Sequence, residues 1–198
     1  MAMGEKVAAF DFDGTLTTKD TLLDFLKFCF GFKKLFIGFL LLSPALLLYK
    51  LNLTSNEKAK ERVFRYFFKG MKRLRWEQLC WNYQYQIDKI INPKGVEKLE
   101  WHIERGDLVV IVSASIENWI TPWANKNKVH AVIGTRIEII DEVITGSFKS
   151  KNCYGIEKAN RLKSALSNLT EYRLYAYGDT KGDRELLEMA DYKFYRCF

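Results

Sequence analysis

The chain has 198 residues, 48% of them hydrophobic and 28% charged, an ordinary globular composition that excludes a largely disordered or fibrous chain. Its formal net charge of +7 favours anionic partners: phosphorylated substrates, anionic lipid surfaces or nucleic acid. Charge alone does not choose among them. Cys29, Cys80, Cys153 and Cys197 form no CxxC pair, and the two histidines, His102 and His130, lie far apart. A zinc site is therefore not expected, and a reducing, cytoplasmic compartment is the simplest reading. Residues 1–6 contain no apolar stretch of the kind a secretory leader carries.

In chain order, the apolar run Val7–Phe10 reads as a buried strand that ends in the polar loop Asp11-Phe12-Asp13-Gly14-Thr15. A mostly helical stretch is predicted from about Thr21 to Ile91, between a capping Asp20-Thr21 and a break at Asn92-Pro93. Pro93–Arg105 predicts an amphipathic helix stopped by Gly106, and Leu108–Val112 a buried parallel strand. A helix over Ile116–Asn125, a strand over Val129–Ile133 and a hairpin over Arg136–Phe148 follow. The remainder reads as a helix at Ile156–Leu166, a strand at Tyr172–Tyr177, a short helix at Arg184–Met189 and a last strand at Tyr192–Tyr195. Alternation of strand and helix from residue 93 onward predicts an α/β fold with a parallel sheet. Residues 18–91 interrupt that alternation as a helical insertion.

The residues able to carry chemistry sit where strands end. Asp11 and Asp13 are two apart, so strand alternation places both on one face at a strand's C-terminal edge, where open α/β sheets bind ligands. Two adjacent carboxylates repel, so they share a proton or a cation; a solvated turn is the bland alternative. Gly178-Asp179-Thr180-Lys181-Gly182-Asp183 follows another strand, and its two carboxylates suit a hard cation bound through oxygen. Ser113 closes an apolar run and offers a hydroxyl; Lys158 lies near a helix start after Gly155 and offers a cation to a phosphoryl group. Singly, these last two carry little weight.

In their order along the chain, Asp11-Phe12-Asp13-Gly14-Thr15-Leu16-Thr17, Ser113, Lys158 and Gly178 to Asp183 resemble the motifs of the haloacid dehalogenase (HAD) superfamily. The resemblance covers residues 5–17 and about 93–195. It implies a Rossmann-like parallel sheet core, residues 1–17 and 92–198, with a helical (C1-type) cap, residues 18–91, inserted after the first strand. It also implies an Mg2+-dependent phosphatase in which Asp11 is the nucleophile and Asp13 the general acid and base. Mg2+ would be held by the Asp11 carboxylate, the Asp13 backbone carbonyl and Asp179, with Asp183 in support. Ser113 and Lys158 would hold the phosphoryl oxygens.

The position of the insertion is similar to that in the phosphoserine phosphatase subgroup. Asp20 occupies the place where those enzymes commonly carry a substrate-binding Glu, and a helix N-cap is the equal alternative. Leu35–Tyr49 has no charge over fifteen residues and is flanked by Lys33, Lys34 and Lys50. It is short for a membrane span and Pro44 interrupts it. Two readings stand: a buried cap helix, or a segment resting at an anionic lipid interface with its lysines among the headgroups. Basic residues interleaved with aromatics from Lys58 to Trp76 accompany it. Together with Asp20, this resembles the phosphatidylglycerophosphatase C type of HAD enzyme. The expected substrate is thus a phosphorylated small molecule or lipid, and the expected location cytoplasmic or on the inner membrane face. No nucleic-acid motif accompanies the charge. A non-catalytic module with this fold is the remaining alternative, and it would need none of the six motif residues.

Overall fold

The computed structural model describes residues 5–166 and 171–198; the leader expectation for the N-terminus falls largely on residues outside that range. Its centre is a parallel sheet in the order β3-β2-β1-β6-β7. The strands are β1 (Lys6–Phe10), β2 (Leu108–Ile116), β3 (Ala131–Thr135), β6 (Arg173–Gly178) and β7 (Tyr192–Tyr195). β1 pairs with β2 on one side and β6 on the other, in parallel register Ala9↔Val110 and Ala9↔Ala176. The chain grows outward from β1 through β2 and β3, then returns to build β6 and β7 on the opposite side. β1 is therefore the switch point, and a crevice is expected at the carboxyl ends of its neighbourhood.

Pleat alternation divides the buried residues into two layers. Ala8, Phe10, Val109 and Ile111 face one side of the sheet with Phe12, Trp119 and Trp123. Val7, Ala9, Val110, Val112, Leu174 and Ala176 face the other with Leu162 and Leu186. The second layer is covered by α6 (Ile156–Ala165) and α7 (Arg184–Glu188), the first by α4 (Pro93–Glu104) and α5 (Glu117–Lys126). A strand covered on both faces needs an uninterrupted apolar run, which is what β1 and β2 carry.

Two strands of the main sheet, β2 and β3, differ from expectation by more than one residue at a boundary. The run Leu108–Val112 predicts a strand stopping at Ser113, but β2 continues to Ile116, with a register shift against β3 between Val112 and Ile116. The small residues Ser113, Ala114 and Ser115 let the chain stay extended without a continuous apolar signal. The strand expected at Val129–Ile133 runs Ala131–Thr135, because the Val129 amide closes the end of α5 on Ala124 O at 2.9 Å.

Between β1 and α4 lie three helices, α1 (Thr21–Lys50), α2 (Asn56–Phe68) and α3 (Arg73–Ile87). α1 is broken at Gly31, whose φ of 71° and ψ of 168° leave the helical region; glycine adopts that backbone without a Cβ penalty. The break sends the second half of α1 back over α2, where a Cβ on Gly38 would run into the Phe67 ring. The first half packs inward through Phe25, whose ring meets Phe68, Trp76, Tyr83 and Trp119.

The hairpin β4 (Ile137–Ile140) and β5 (Val143–Phe148) forms a separate two-stranded sheet. It is stitched to the end of α2 by backbone bonds from Gly70 to Ile144 O and from Ile144 to Met71 O, both 2.9 Å. Glu61 accepts from the Phe148 amide at 2.8 Å, and Glu57 from the Asn152 amide at 2.9 Å.

Most of Leu35–Tyr49 does not form a buried core. Gly38 and Leu42 are buried, but Phe36, Leu40 and Leu41 are each more than half exposed. No helix among the described residues is long and apolar enough to cross a membrane.

Candidate active site

The site gathers at the C-terminal edges of β1, β2 and β6. The Asp11 amide donates to Tyr177 O at 2.9 Å, extending the β1/β6 ladder by one step. The chain then turns tightly, with Phe12 O accepting from the amides of Leu16 and Thr17 at 2.9 and 3.0 Å. Gly14 makes this possible in two ways. Its φ is +86°, and a Cβ there would strike the Asp179 carboxylate. The loop after β1 and the loop after β6 therefore touch backbone to side chain.

Asp183 ties down the second loop. Its Oδ2 accepts from the amides of Asp179 and Thr180, at 3.2 and 3.0 Å, and from the Thr180 hydroxyl at 2.9 Å. Its Oδ1 accepts from Lys158 Nζ, which also donates to Asp11 Oδ1. Lys158 arrives from the first turn of α6, behind Gly155 with its φ of 61°. All three side chains are nearly sealed from solvent.

Carboxylate oxygens of Asp11, Asp179 and Asp183 lie within 4.8 Å of one another. An all-oxygen donor set of this kind suits a hard divalent cation; Asp11 and Asp183 are buried and Asp179 is half-buried. The charge balance agrees. Burial, against the opposing pull of Lys158 and with the repulsion of Asp183 and Asp13, pushes the Asp11 carboxyl up to about 8. Burial and then Asp183 raise Asp179 as well. Burial disfavours the Lys158 charge, but Asp11 and Asp183 outweigh it and raise its pKa. One ammonium thus faces three crowded carboxylates, and a cation relieves what it does not.

Asp13 looks elsewhere. Its Oδ1 accepts from the Thr21 amide at 2.7 Å and its Oδ2 from the Ser115 hydroxyl at 2.5 Å. Its side chain is not part of the three-carboxylate cluster. Burial and the nearby Asp20 raise its pKa, against the hydrogen bonds from Ser115 and Thr21. Behind it a buried chain continues: Thr21 Oγ1 lies 3.1 Å from Ser115 Oγ and receives Trp119 Nε1 at 3.3 Å.

Ser113 is buried in β2, and its Oγ accepts from the Ser115 amide at 3.0 Å. Asp20 caps α1, accepting from the Leu23 amide at 3.0 Å. The fold therefore brings Asp11, Lys158, Asp179 and Asp183 into one contact network, with Asp13 on its flank and Asp20 at the start of the next helix. Sequence reasoning passes over Thr21, Ser115 and Lys60. Ser115 shares strand parity with Ser113, a signal that was available. Lys60 had none beyond being one basic residue among many on α2; its Nζ reaches Ala114 O at 2.8 Å.

Comparison with known proteins shows the family and the fold. The chain is 36% identical over 195 residues to Protein CicA of Caulobacter vibrioides, covering 97% of this chain and 86% of that one. A protein of unknown function from Bordetella pertussis Tohama I has the same fold, with a TM-score of 0.81 at 21% identity, over 94% of this chain and 87% of that chain. A phosphoserine phosphatase determined as a phospho-aspartyl intermediate analogue superposes with a TM-score of 0.63 at 16% identity, over 96% of this chain and 85% of that chain. The model of haloacid dehalogenase-like hydrolases matches residues 8–188: the chain belongs to that family.

Proposed function

We propose that this hydrolase is an Mg2+-dependent phosphomonoesterase working through an aspartyl-phosphate on Asp11. The observation that carries the reading is the Asp11 carboxylate held by Lys158 within 4.8 Å of Asp179 and Asp183, at the edge of β1 and β6. Asp11 attacks phosphorus in line; a phosphorus–oxygen bond forms to its carboxylate as the bond to the leaving alcohol breaks. Asp13 gives its proton to the departing oxygen, then takes one from the water that attacks the aspartyl-phosphate. Burial and the nearby Asp20 raise the Asp13 pKa, which favours the protonated form this step begins from.

Ser113 and Lys158 hold the phosphoryl oxygens, and Lys158 also orients Asp11. Asp11, the Asp13 backbone carbonyl and Asp179 are the residues that would hold Mg2+, and Asp183 fixes the Asp179 loop. Bound there, Mg2+ offsets the repulsion between a carboxylate and a phosphate dianion. Residues 18–91 act as a cap that limits water at the site during phosphoryl transfer.

The substrate we propose is a lipid phosphate such as phosphatidylglycerophosphate, met at the cytoplasmic membrane face. Support comes from the second half of α1, which turns Phe32, Phe36, Ile37, Leu40, Leu41 and Leu47 to solvent. Monomeric proteins rarely leave so many large apolar side chains together without a partner. Lys33, Lys34 and Lys50 flank them and suit anionic headgroups. A soluble ester such as phosphoserine is the second reading, favoured by the fold shared with phosphoserine phosphatase.

Phosphate release tests both readings. The panel is phosphatidylglycerophosphate and lysophosphatidic acid in mixed micelles, phosphoserine, sugar phosphates and p-nitrophenyl phosphate, each with Mg2+ and with EDTA. Mg2+-dependent release strongest on the lipids is expected. Release mainly from phosphoserine would replace the lipid reading, and no release from any ester would remove the enzymatic one.

A further inference from the structure

Lys60 is an unusual lysine for the solvent-rich helix that carries it. It is half-buried on the inner side of α2, beside the buried Ala59 and Val63. Among the described residues its ammonium makes one hydrogen bond, to Ala114 O, and no ion pair within bonding range. An ammonium has three donors, so two remain for a ligand. The charges that face it are Asp13, Asp20 and Asp11, with Lys158 opposing; burial comes first and lowers its pKa. It is thus a cation aimed at the catalytic loops but not neutralised by a dedicated partner.

Lys60 also forms the inner end of a cavity of about 240 Å³ between α1 and α2. Asp20 also lines it, and the walls combine Leu22, Leu23, Phe39, Leu46 and Val63 with Tyr49 and Asn56. The cavity is therefore ionic where Lys60 and Asp20 line it and apolar along Phe39, Leu46 and Val63, and it carries one further polar pair, Asn56 Nδ2 donating to the Tyr49 hydroxyl at 2.9 Å. Phe39 and Leu46 of this wall adjoin the exposed Leu40 and Leu47 along α1. The apolar stretch of wall gives an alkyl chain a surface to bury against, which a small polar metabolite would leave unused.

We propose that this slot takes the alcohol side of an amphipathic phosphomonoester, with a second anionic group on Lys60 and the alkyl chain along Phe39, Leu46 and Val63. The proposal rests on the phosphomonoesterase reading above and assigns its selectivity to the cap. Lys60 distinguishes esters whose alcohol carries a second negative charge, and the apolar wall distinguishes those with a chain. The chain continues from the slot onto the exposed face of α1.

The test measures binding to Asp11→Asn protein, which separates recognition from turnover. The probes are dihexanoyl phosphatidylglycerophosphate, dihexanoyl phosphatidic acid and inorganic phosphate, all below micelle-forming concentrations with Mg2+ present. Lys60→Met should lower the preference for the doubly charged lipid over phosphatidic acid at least about tenfold, the scale of a lost hydrogen bond to a charged group. Leu46→Trp, which fills the slot at a partly exposed position, should lower the preference for both lipids over inorganic phosphate by a similar factor. Chain length reads the slot without any further substitution: affinity should rise from dibutanoyl to dihexanoyl lipid. Unchanged preferences in both variants, or affinity independent of chain length, would overturn the proposal. Lipid binding that responds to Leu46→Trp while no ester in the panel is hydrolysed would sink the enzymatic reading and leave the slot standing.

Discussion

The loops around Asp11 and the second half of α1 are opposite solutions to placing groups where water does not want them. Around Asp11, charges are buried and every oxygen of Asp183 is engaged by Lys158, Thr180 or a loop amide. Along α1, apolar side chains are left in water, with Phe32 69% and Leu40 63% exposed. Each arrangement costs free energy in the isolated protein: several kcal/mol per buried ion before pairing, and roughly 1.5–3 kcal/mol forgone for each large apolar side chain not buried. Both costs point outward, the first to a cation and a phosphoryl group, the second to an apolar surface. The buried charges are also locked by geometry, while the apolar face needs no particular rotamer to meet a bilayer. Removing a charge's partner in the first region should therefore disturb the fold, an isosteric change of the nucleophile there should disturb the chemistry alone, and substitutions in the second region should leave the fold unchanged.

The largest expected effect is that of Asp11→Asn. It removes the nucleophile but keeps the shape of the side chain, so turnover should fall by roughly a thousandfold or more while the fold persists. Phosphate release and circular dichroism on the same sample check both halves. Full activity in a folded variant would break the assignment.

Next is Lys158→Met, which leaves Asp11 and Asp183 buried without their shared cation. A loss of about 3–5 kcal/mol in metal-free protein is expected from denaturant unfolding. A loss under 1 kcal/mol would mean that the carboxylates are solvated well enough not to need the lysine.

The pH dependence sharpens the same point. Asp11 rises from its ordinary 3.8 to about 8. A carboxyl with a raised folded pKa contributes stability that is complete below its unfolded pKa and is lost as pH rises through the folded value. In EDTA, the melting temperature should therefore fall between about pH 4 and pH 8. Mg2+ should flatten that slope because it favours the charged form, and Asp11→Asn should reduce it without metal. A slope unchanged in Asp11→Asn would assign it to other groups.

On the other side of the comparison, Leu40→Glu with Leu41→Glu should abolish co-sedimentation with anionic vesicles. Its effect on stability should stay within about 0.5 kcal/mol, as for surface positions generally. Vesicle binding that survives the double substitution would remove α1 from the membrane reading. The smallest effect is that of Asp20→Ala, about 1 kcal/mol for a lost helix N-cap. A fall in kcat/KM with an unchanged melting temperature would instead make Asp20 a substrate contact.

How far the site was legible in the sequence follows the same division. Asp11, Asp13, Asp179 and Asp183 were visible because each follows an apolar run, and strand ends converge in a parallel sheet whatever the details. Lys158 was legible mainly through its order relative to those motifs. That Asp13 would face Thr21 and Ser115, away from Asp179, was not legible, because it depends on where α1 starts after the turn at Gly14. Lys60 lay further out of reach: its place over Ala114 is set by how α2 docks, and the charge of a helix residue says nothing about docking. The apolar run Leu35–Tyr49 shows the limit most clearly. Composition identified it as a helix that avoids charge, but two folded outcomes share that composition. Gly31, which turns the helix back over α2, decided how much of it stays exposed.

The most direct test of the central claim is to trap the intermediate. Protein turning over a phosphomonoester with Mg2+ is quenched, and any acyl-phosphate is reduced with borohydride to the corresponding alcohol. Peptide mass spectrometry then locates the residue converted from aspartate to homoserine. Conversion at Asp11, dependent on substrate and absent in EDTA, is the predicted result. Active turnover with no conversion, or with conversion at Asp13, Asp179 or Asp183 instead, would contradict it.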